Sequence, residues 1–232
     1  MHRPFRNRTH AGLLLARRLA SYARHPDVVV LALPRGGVPP AAALAQALDV
    51  PLDVVMVRKL ALPEYPEYAI GAVAGDGQCL LRTADIERRA VPAATLEAAI
   101  ARERAEIKRR ERLYRDSTPP LPLQGKIVIL VDDGIATGST MRLAVRLVRR
   151  AQAARIIVAV PVAAQVSCTE LAHEVDALVC LSSPEPFLSV GKWYRDFRQV
   201  GDEEVVHVLD MARRKRVAKG ASRPATLHSH LH

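Results

Sequence analysis

Two adjacent carboxylates, Asp132 and Asp133, close an apolar run and are followed by two glycines and three hydroxyls in "KIVILVDDGIATGSTM", residues 126 to 141. Neighbouring carboxylates repel, so such a pair is tolerable where hydroxyls donate to it or a divalent cation lies near. A magnesium-bearing polyhydroxylated sugar supplies both. If the apolar run is a strand, the two acids project to opposite sides of the chain at the carboxyl edge of a sheet, where open α/β folds bind ligands. Gly134 and Gly138 let the backbone turn tightly, and a following helix points free N–H groups into that turn. Thr137, Ser139 and Thr140 add hydroxyl donors suited to a phosphate monoester. The implied chemistry is carboxylates for a ribose and a loop for its 5-phosphate. An ordinary capping turn would account for the acids alone, but not for strand, acids, glycines and hydroxyls in this order. No lysine follows the second glycine as a P-loop needs, and no G-x-G-x-x-G opens a helix.

The elements that must position these groups are legible in the apolar periodicity. Short β-branched runs, Asp27 to Leu33, Leu52 to Val57, Lys126 to Val131, Arg155 to Val160 and Ala177 to Leu181, alternate with amphipathic stretches. That alternation predicts a mainly parallel twisted sheet flanked by helices. Helices are expected over "HAGLLLARRLASYAR" after a Thr9 cap, "PPAAALAQAL" opened by prolines, and "GSTMRLAVRLVRRAQ". Residues 69 to 81, with Gly-Asp-Gly between two β-like runs, predict a hairpin. Residues 93 to 115 predict a long helix whose charges at i, i+3 and i+4 read as a solvated face.

In this setting "IVILVDDGIATGST" resembles the phosphoribosyl-pyrophosphate (PRPP) signature of type I phosphoribosyltransferases. "VLALPRGGVPPAAALA", residues 30 to 45, resembles the family's pyrophosphate loop, which implies backbone N–H donors from Pro34-Arg35-Gly36-Gly37 and a cis peptide at Pro34–Arg35. "VVMVRKL" ends with Arg58 and Lys59 where related enzymes place cations on the pyrophosphate, and the hairpin from about 61 to 81 occupies the position of the mobile lid. "FLSVGKWYRDF" resembles the hood segment that holds the base, with Trp193 expected to stack on it and Tyr194 as the fallback.

The resemblance implies a Mg²⁺-dependent transfer of the phosphoribosyl group from PRPP to a nitrogenous base, as in nucleotide salvage. Asp132 and Asp133 would hold ribose and Mg²⁺, directly or through water, and the loop Gly134, Ile135, Ala136, Thr137, Gly138, Ser139 and Thr140 would hold the 5-phosphate. Arg35, Arg58 and Lys59 would stabilise the leaving pyrophosphate. The expected organisation is one phosphoribosyltransferase domain over 1–212, its hood built from the N-terminal segment and about 182–200, then a basic disordered tail over 213–232. A cytoplasmic homodimer is expected. Two departures bear on the acceptor: Ala136 stands where 6-oxopurine enzymes carry a third acid, and "LVCLSS" lacks their late-strand lysine.

Composition sets outer limits. The formal charge is +10, but Arg213, Arg214, Lys215, Arg216, Lys219 and Arg223 account for six of it, leaving +4 for the remainder. A mildly basic body suits a phosphorylated ligand. The alternative reading is a PRPP-sensing regulator that binds nucleic acid through this tail, although no DNA-reading module precedes the sheet. Apolar runs are too short to cross a bilayer. Cys79, Cys168 and Cys180 form no C-x-x-C pair and read as reduced and structural. His228, His230 and His232 make a poor metal site.

Overall fold

Runs that are apolar at every position, rather than at alternate ones, belong to strands covered on both faces, and this chain builds such a sheet. The computed structural model describes residues 5–62 and 65–221. In chain order the elements are α1 Arg8–Arg18, β1 Val28–Ala32, α2 Val38–Leu48, β2 Leu52–Val54, β3 Val57–Leu62, β4 Tyr65–Ala74, β5 Cys79–Leu81, α3 Thr83–Arg88, α4 Ala93–Arg115, β6 Ile127–Val131, α5 Ser139–Arg150, β7 Arg155–Val162, α6 Gln165–Ala172, β8 Ala177–Ser182 and α7 Asp202–Ala221. Five strands form a parallel sheet in the order β2-β1-β6-β7-β8, and β3-β4-β5 form a separate antiparallel sheet.

Alternating side chains divide the core. Val28, Val30 and Ala32 join Ile129, Val131, Ile157 and residues of α1, α2 and α7 on one face. Val29, Leu31, Val128, Leu130 and Val158 join α5 and α6 on the other. The strand order reverses between β1 and β6, which pair in register with Ala32 opposite Val131. A crevice outside the carboxyl ends of two such strands is where ligands bind in open α/β sheets. The "PRGG" turn leaves β1 there, and the acid pair leaves β6 beside it.

Several expectations change. Asn7, not Thr9, caps α1, its side chain accepting from the His10 N–H at 2.9 Å. The run predicted as one strand over 52–57 divides, because the chain leaves the parallel sheet after Val54 and enters the antiparallel one at Val57. Arg58 and Lys59 therefore lie inside an antiparallel strand, opposite Val73 and Ala72, and not at the sheet's carboxyl edge. The long helix is present over the predicted residues, yet it is not merely solvated: Ala99, Ile107 and Tyr114 pack in the core, and Glu103 and Arg110 are buried with them. Within the expected lid over 61–81, Ile70 and Ala72–Ala74 are core residues, and residues 63–64 lie outside the described residues. The tail expected to be disordered from 213 is helical as far as Ala221, continuing α7; residues 222–232, with the three tail histidines, lie outside the described residues.

Candidate functional site

The acid pair sits where β6 ends, and its neighbours come from both ends of the chain. The Asp133 N–H donates to Asp132 Oδ1 at 2.8 Å. Arg8 Nε donates to Asp133 Oδ2 at 2.7 Å, with the two side chains only 10% and 14% exposed. Arg8 also donates to the Arg198 carbonyl at 2.8 Å, and its guanidinium lies 3.7 Å from the centroid of Phe197. No ion pair reaches Asp132 among the described residues. Burial, and then the charge of Asp133, push the Asp132 carboxyl well above its usual range. Burial raises Asp133 too, against the opposing pull of Arg8.

The pyrophosphate-type loop closes against this pair. The peptide Pro34–Arg35 is cis, and a Cβ placed on Gly36 would lie 2.2 Å from Asp133 Oδ2, so only glycine allows the loop to approach so closely. Arg35 makes a 3.6 Å ion pair with Asp202 at the start of α7. Asp202 also accepts from Tyr114 at 2.5 Å and Arg109 at 2.6 Å.

On the other side the chain turns into α5. Ile135 is buried and tied to β7 and its exit by hydrogen bonds, its N–H to the Val162 carbonyl and the Ala164 N–H to its own carbonyl, each 2.9 Å. That anchor leaves Ala136 and Thr137 exposed at the tip. Ser167 Oγ holds the Ala136 carbonyl at 2.6 Å. Gly138 adopts φ +73°, a left-handed conformation that favours glycine, and no side chain caps α5. The first N–H groups of α5, beside the Ser139 and Thr140 hydroxyls, therefore face an open loop with the partial positive charge of a helix start.

The expected hood segments do meet. The Phe5 N–H donates to the Trp193 carbonyl at 2.6 Å, and the Arg195 N–H donates to the Phe5 carbonyl at 2.8 Å. Trp193 ends a short 3-10 turn over Val190–Trp193 and Tyr194 follows it in extended conformation, so the two adjacent side chains face different ways. Tyr194 is buried, its hydroxyl donates to the Asp133 carbonyl at 2.5 Å, and its ring stacks on Phe197 and tilts against Phe5. Burial, then the Asp133 charge, raise its phenol. Trp193, expected to stack on the base, lines a cavity with Arg17, Arg18 and Ser182. Buried against Phe5 and Phe197, Tyr194 supports the acid pair through its hydroxyl.

The remaining predicted cations are not gathered at the acids. Arg58 donates to Glu103 of α4 at 2.6 Å, and Lys59 is exposed on β3. Sequence reasoning missed Arg8, Tyr114, Glu103 and Asp202. Nothing local distinguishes Arg8, a single cation in a basic N-terminal segment 125 positions from its partner. The acids of α4 carried a weak signal, as helix charges at spacings that also serve a solvated face.

The phosphoribosyl transferase domain family model matches residues 8–189. A Mycobacterium tuberculosis (strain H37Rv) protein whose name assigns it provisionally as a phosphoribosyl transferase is 41% identical over 217 residues, which are 94% of this chain and 49% of that protein. The chain thus spans about half the length of the curated relatives it matches. A Thermus thermophilus protein of known crystal structure is 41% identical, with a TM-score of 0.72 over 89% of this chain and 97% of that one. With its helix-flanked parallel sheet, its PRPP-type signature and a family match over most of its length, the chain belongs to the phosphoribosyl transferase domain family.

Proposed function

We propose that the protein transfers the 5-phosphoribosyl group from PRPP to a nitrogenous base with release of pyrophosphate, in a Mg²⁺-dependent reaction. The observation that carries this reading is the meeting of two loops at the strand-order reversal: the acid pair and uncapped α5 start from β6, and the "PRGG" turn packed on Asp133 from β1.

The chain's own groups divide the work. The α5 N-terminus with Thr137, Ser139 and Thr140 fixes the 5-phosphate. Asp132 and Asp133 accept from the ribose hydroxyls and favour positive charge as it develops on the ring while the C1–pyrophosphate bond breaks. The backbone of Gly36 and Gly37 lies against the leaving group. Arg35 can follow it only by relaxing its long ion pair to Asp202. Arg8 holds Asp133 in place and keeps its charge tolerable.

The donor set fits Mg²⁺ held jointly with substrate rather than in a protein cage. Asp132 is a carboxyl whose ionised form burial and Asp133 disfavour and which makes no ion pair among the described residues, so a divalent cation would stabilise its charge, while no group of three or more His, Cys, Asp or Glu among the described residues could hold an ion alone. When bound, the ion would neutralise charge on the departing pyrophosphate. The nucleic-acid reading finds less support. Arg213 bonds Asp210 at 3.0 Å and the Tyr114 carbonyl at 2.5 Å, and Lys215 pairs with Asp49 at 3.0 Å, so part of the basic stretch is engaged by the body. Among the described residues no helix is long and apolar enough to cross a membrane.

The test is a nucleobase screen with PRPP and Mg²⁺, read as pyrophosphate release, alongside thermal shifts. PRPP at a hundredfold its Kd stabilises by about 2.7 kcal/mol, or ~5–10 °C for a chain of this size. The Asp132→Asn, Asp133→Asn double variant should lose that shift. An unchanged shift in the double variant refutes the assignment.

A further inference from the structure

We propose that the cavity between α1, the end of β8 and the Phe5–Trp193 contact binds a nucleoside polyphosphate, at a site separate from the acid pair. The cavity holds about 480 Å³, within the range of roughly 300–1,000 Å³ usual for small-ligand sites. Four guanidinium side chains line it, Arg6, Arg17, Arg18 and Arg195, and among the described residues no acid does. None of the four has a salt-bridge partner among the described residues, whereas Arg8, Arg110, Arg115 and Arg142 all do. Converging cations without counter-charge are costly to one another and suit an anionic ligand, and guanidinium forks match phosphate oxygens in pairs. The same crowding is felt by His10 in the cavity wall, which burial and then Arg6 and Arg17 push below the usual imidazole range.

A second, independent feature is the Ser182 hydroxyl. Ser182 closes β8 at the cavity, is 6% exposed, and its Oγ has no hydrogen-bond partner among the described residues. A buried polar atom left open in this way is the kind a ligand completes. Trp193, half-buried on the same wall, offers an aromatic face for a planar ring. Several guanidiniums around one concavity, with an aromatic beside them, specify a polyphosphate attached to a base rather than a lone phosphate.

The separation from the acid pair follows from the helix. Arg8 and Arg17 are nine positions apart on α1, about two and a half turns, so they lie on opposite faces. The face carrying His10, Leu14, Arg17 and Arg18 belongs to the cavity, and Arg8 turns to Asp133. Tyr194 and Phe5 form the wall between.

ATP is the probe, read by the fluorescence of Trp193, the chain's one tryptophan. Expected is a saturable change that survives saturating PRPP with Mg²⁺ and persists in the Asp132→Asn, Asp133→Asn variant. Arg17→Gln with Arg18→Gln, both exposed, should weaken ATP by ~10- to 100-fold without lowering the melting temperature. Arg6→Gln with Arg195→Gln should do the same, and sodium tripolyphosphate should compete where adenosine does not. The proposal fails if ATP gives no saturable change up to about 1 mM, if PRPP displaces it, or if both arginine pairs are dispensable. It also fails if a single-stranded RNA oligonucleotide binds at least tenfold tighter than ATP and is lost in the same variants, which would make the cavity part of a nucleic-acid surface.

Discussion

Replacing Arg8 with glutamine probes how the acid pair is kept in place before any ligand arrives. The Arg8–Asp133 pair is short, at 2.7 Å, and both side chains are largely withdrawn from water. Removing one partner of such a pair costs about 3–5 kcal/mol, because the other charge stays buried without compensation. The two side chains keep 10% and 14% exposure, which favours the lower end of that range. Loss of the guanidinium from the face of Phe197, 3.7 Å away, adds about 0.5–1 kcal/mol. The sum, about 3–4 kcal/mol, corresponds to a fall in Tm of roughly 6–16 °C for a chain of this length. The assay is thermal unfolding of four proteins: wild type, Arg8→Gln, Asp133→Asn and the double variant. Removing both charges should restore part of the loss, with a coupling energy of about 2 kcal/mol between the two sites. If Arg8→Gln melts within about 2 °C of wild type, or if the two single effects simply add, Arg8 is not the partner that stabilises Asp133.

Two further outcomes follow from the same geometry. Gly36→Ala would place a methyl 2.2 Å from Asp133 Oδ2, forcing that carboxylate off Arg8. The expected cost is about 1–3 kcal/mol together with weakened PRPP binding, measured by melting with and without ligand; a variant that binds PRPP as wild type does would separate this loop from the acids. Acidification should expose the α4 network: hydrogen bonding from Arg109 and then Arg110 holds Glu106 down at about 2, against burial, from an ordinary value of 4.5. A depressed carboxylate stabilises the fold above its unfolded pKa, and the contribution is lost as pH falls from about 4.5 towards 2. Glu106→Gln should therefore melt less steeply with pH across that window, and identical acid limbs in the two proteins would show that Glu106 contributes nothing there.

The sequence by itself determined the order of most elements and the local frame of one loop. Continuous apolar runs such as "IVILV" and "IIVAV" are short, rich in β-branched residues and bounded by polar segments, as strands covered on both faces are, and prolines at 39 and 40 open a helix because their missing N–H groups are not needed there. Asp132, Asp133 and the glycines and hydroxyls after them were legible because one strand, one turn and one helix start hold them all, so local geometry suffices. Tertiary structure decided everything that joins distant segments. It chose Arg8 as the partner of Asp133, gave Arg35 and Arg58 to acids of α7 and α4, and divided the run over 52–57 between two sheets. It also set Tyr194 rather than its neighbour Trp193 against the acid pair. The physical reason is that a charge's partner is whatever opposite charge the fold buries beside it. Which of two adjacent aromatics faces the site depends on a half-turn of backbone set by the pairing of the Phe5 segment with the chain around Trp193, which periodicity does not encode.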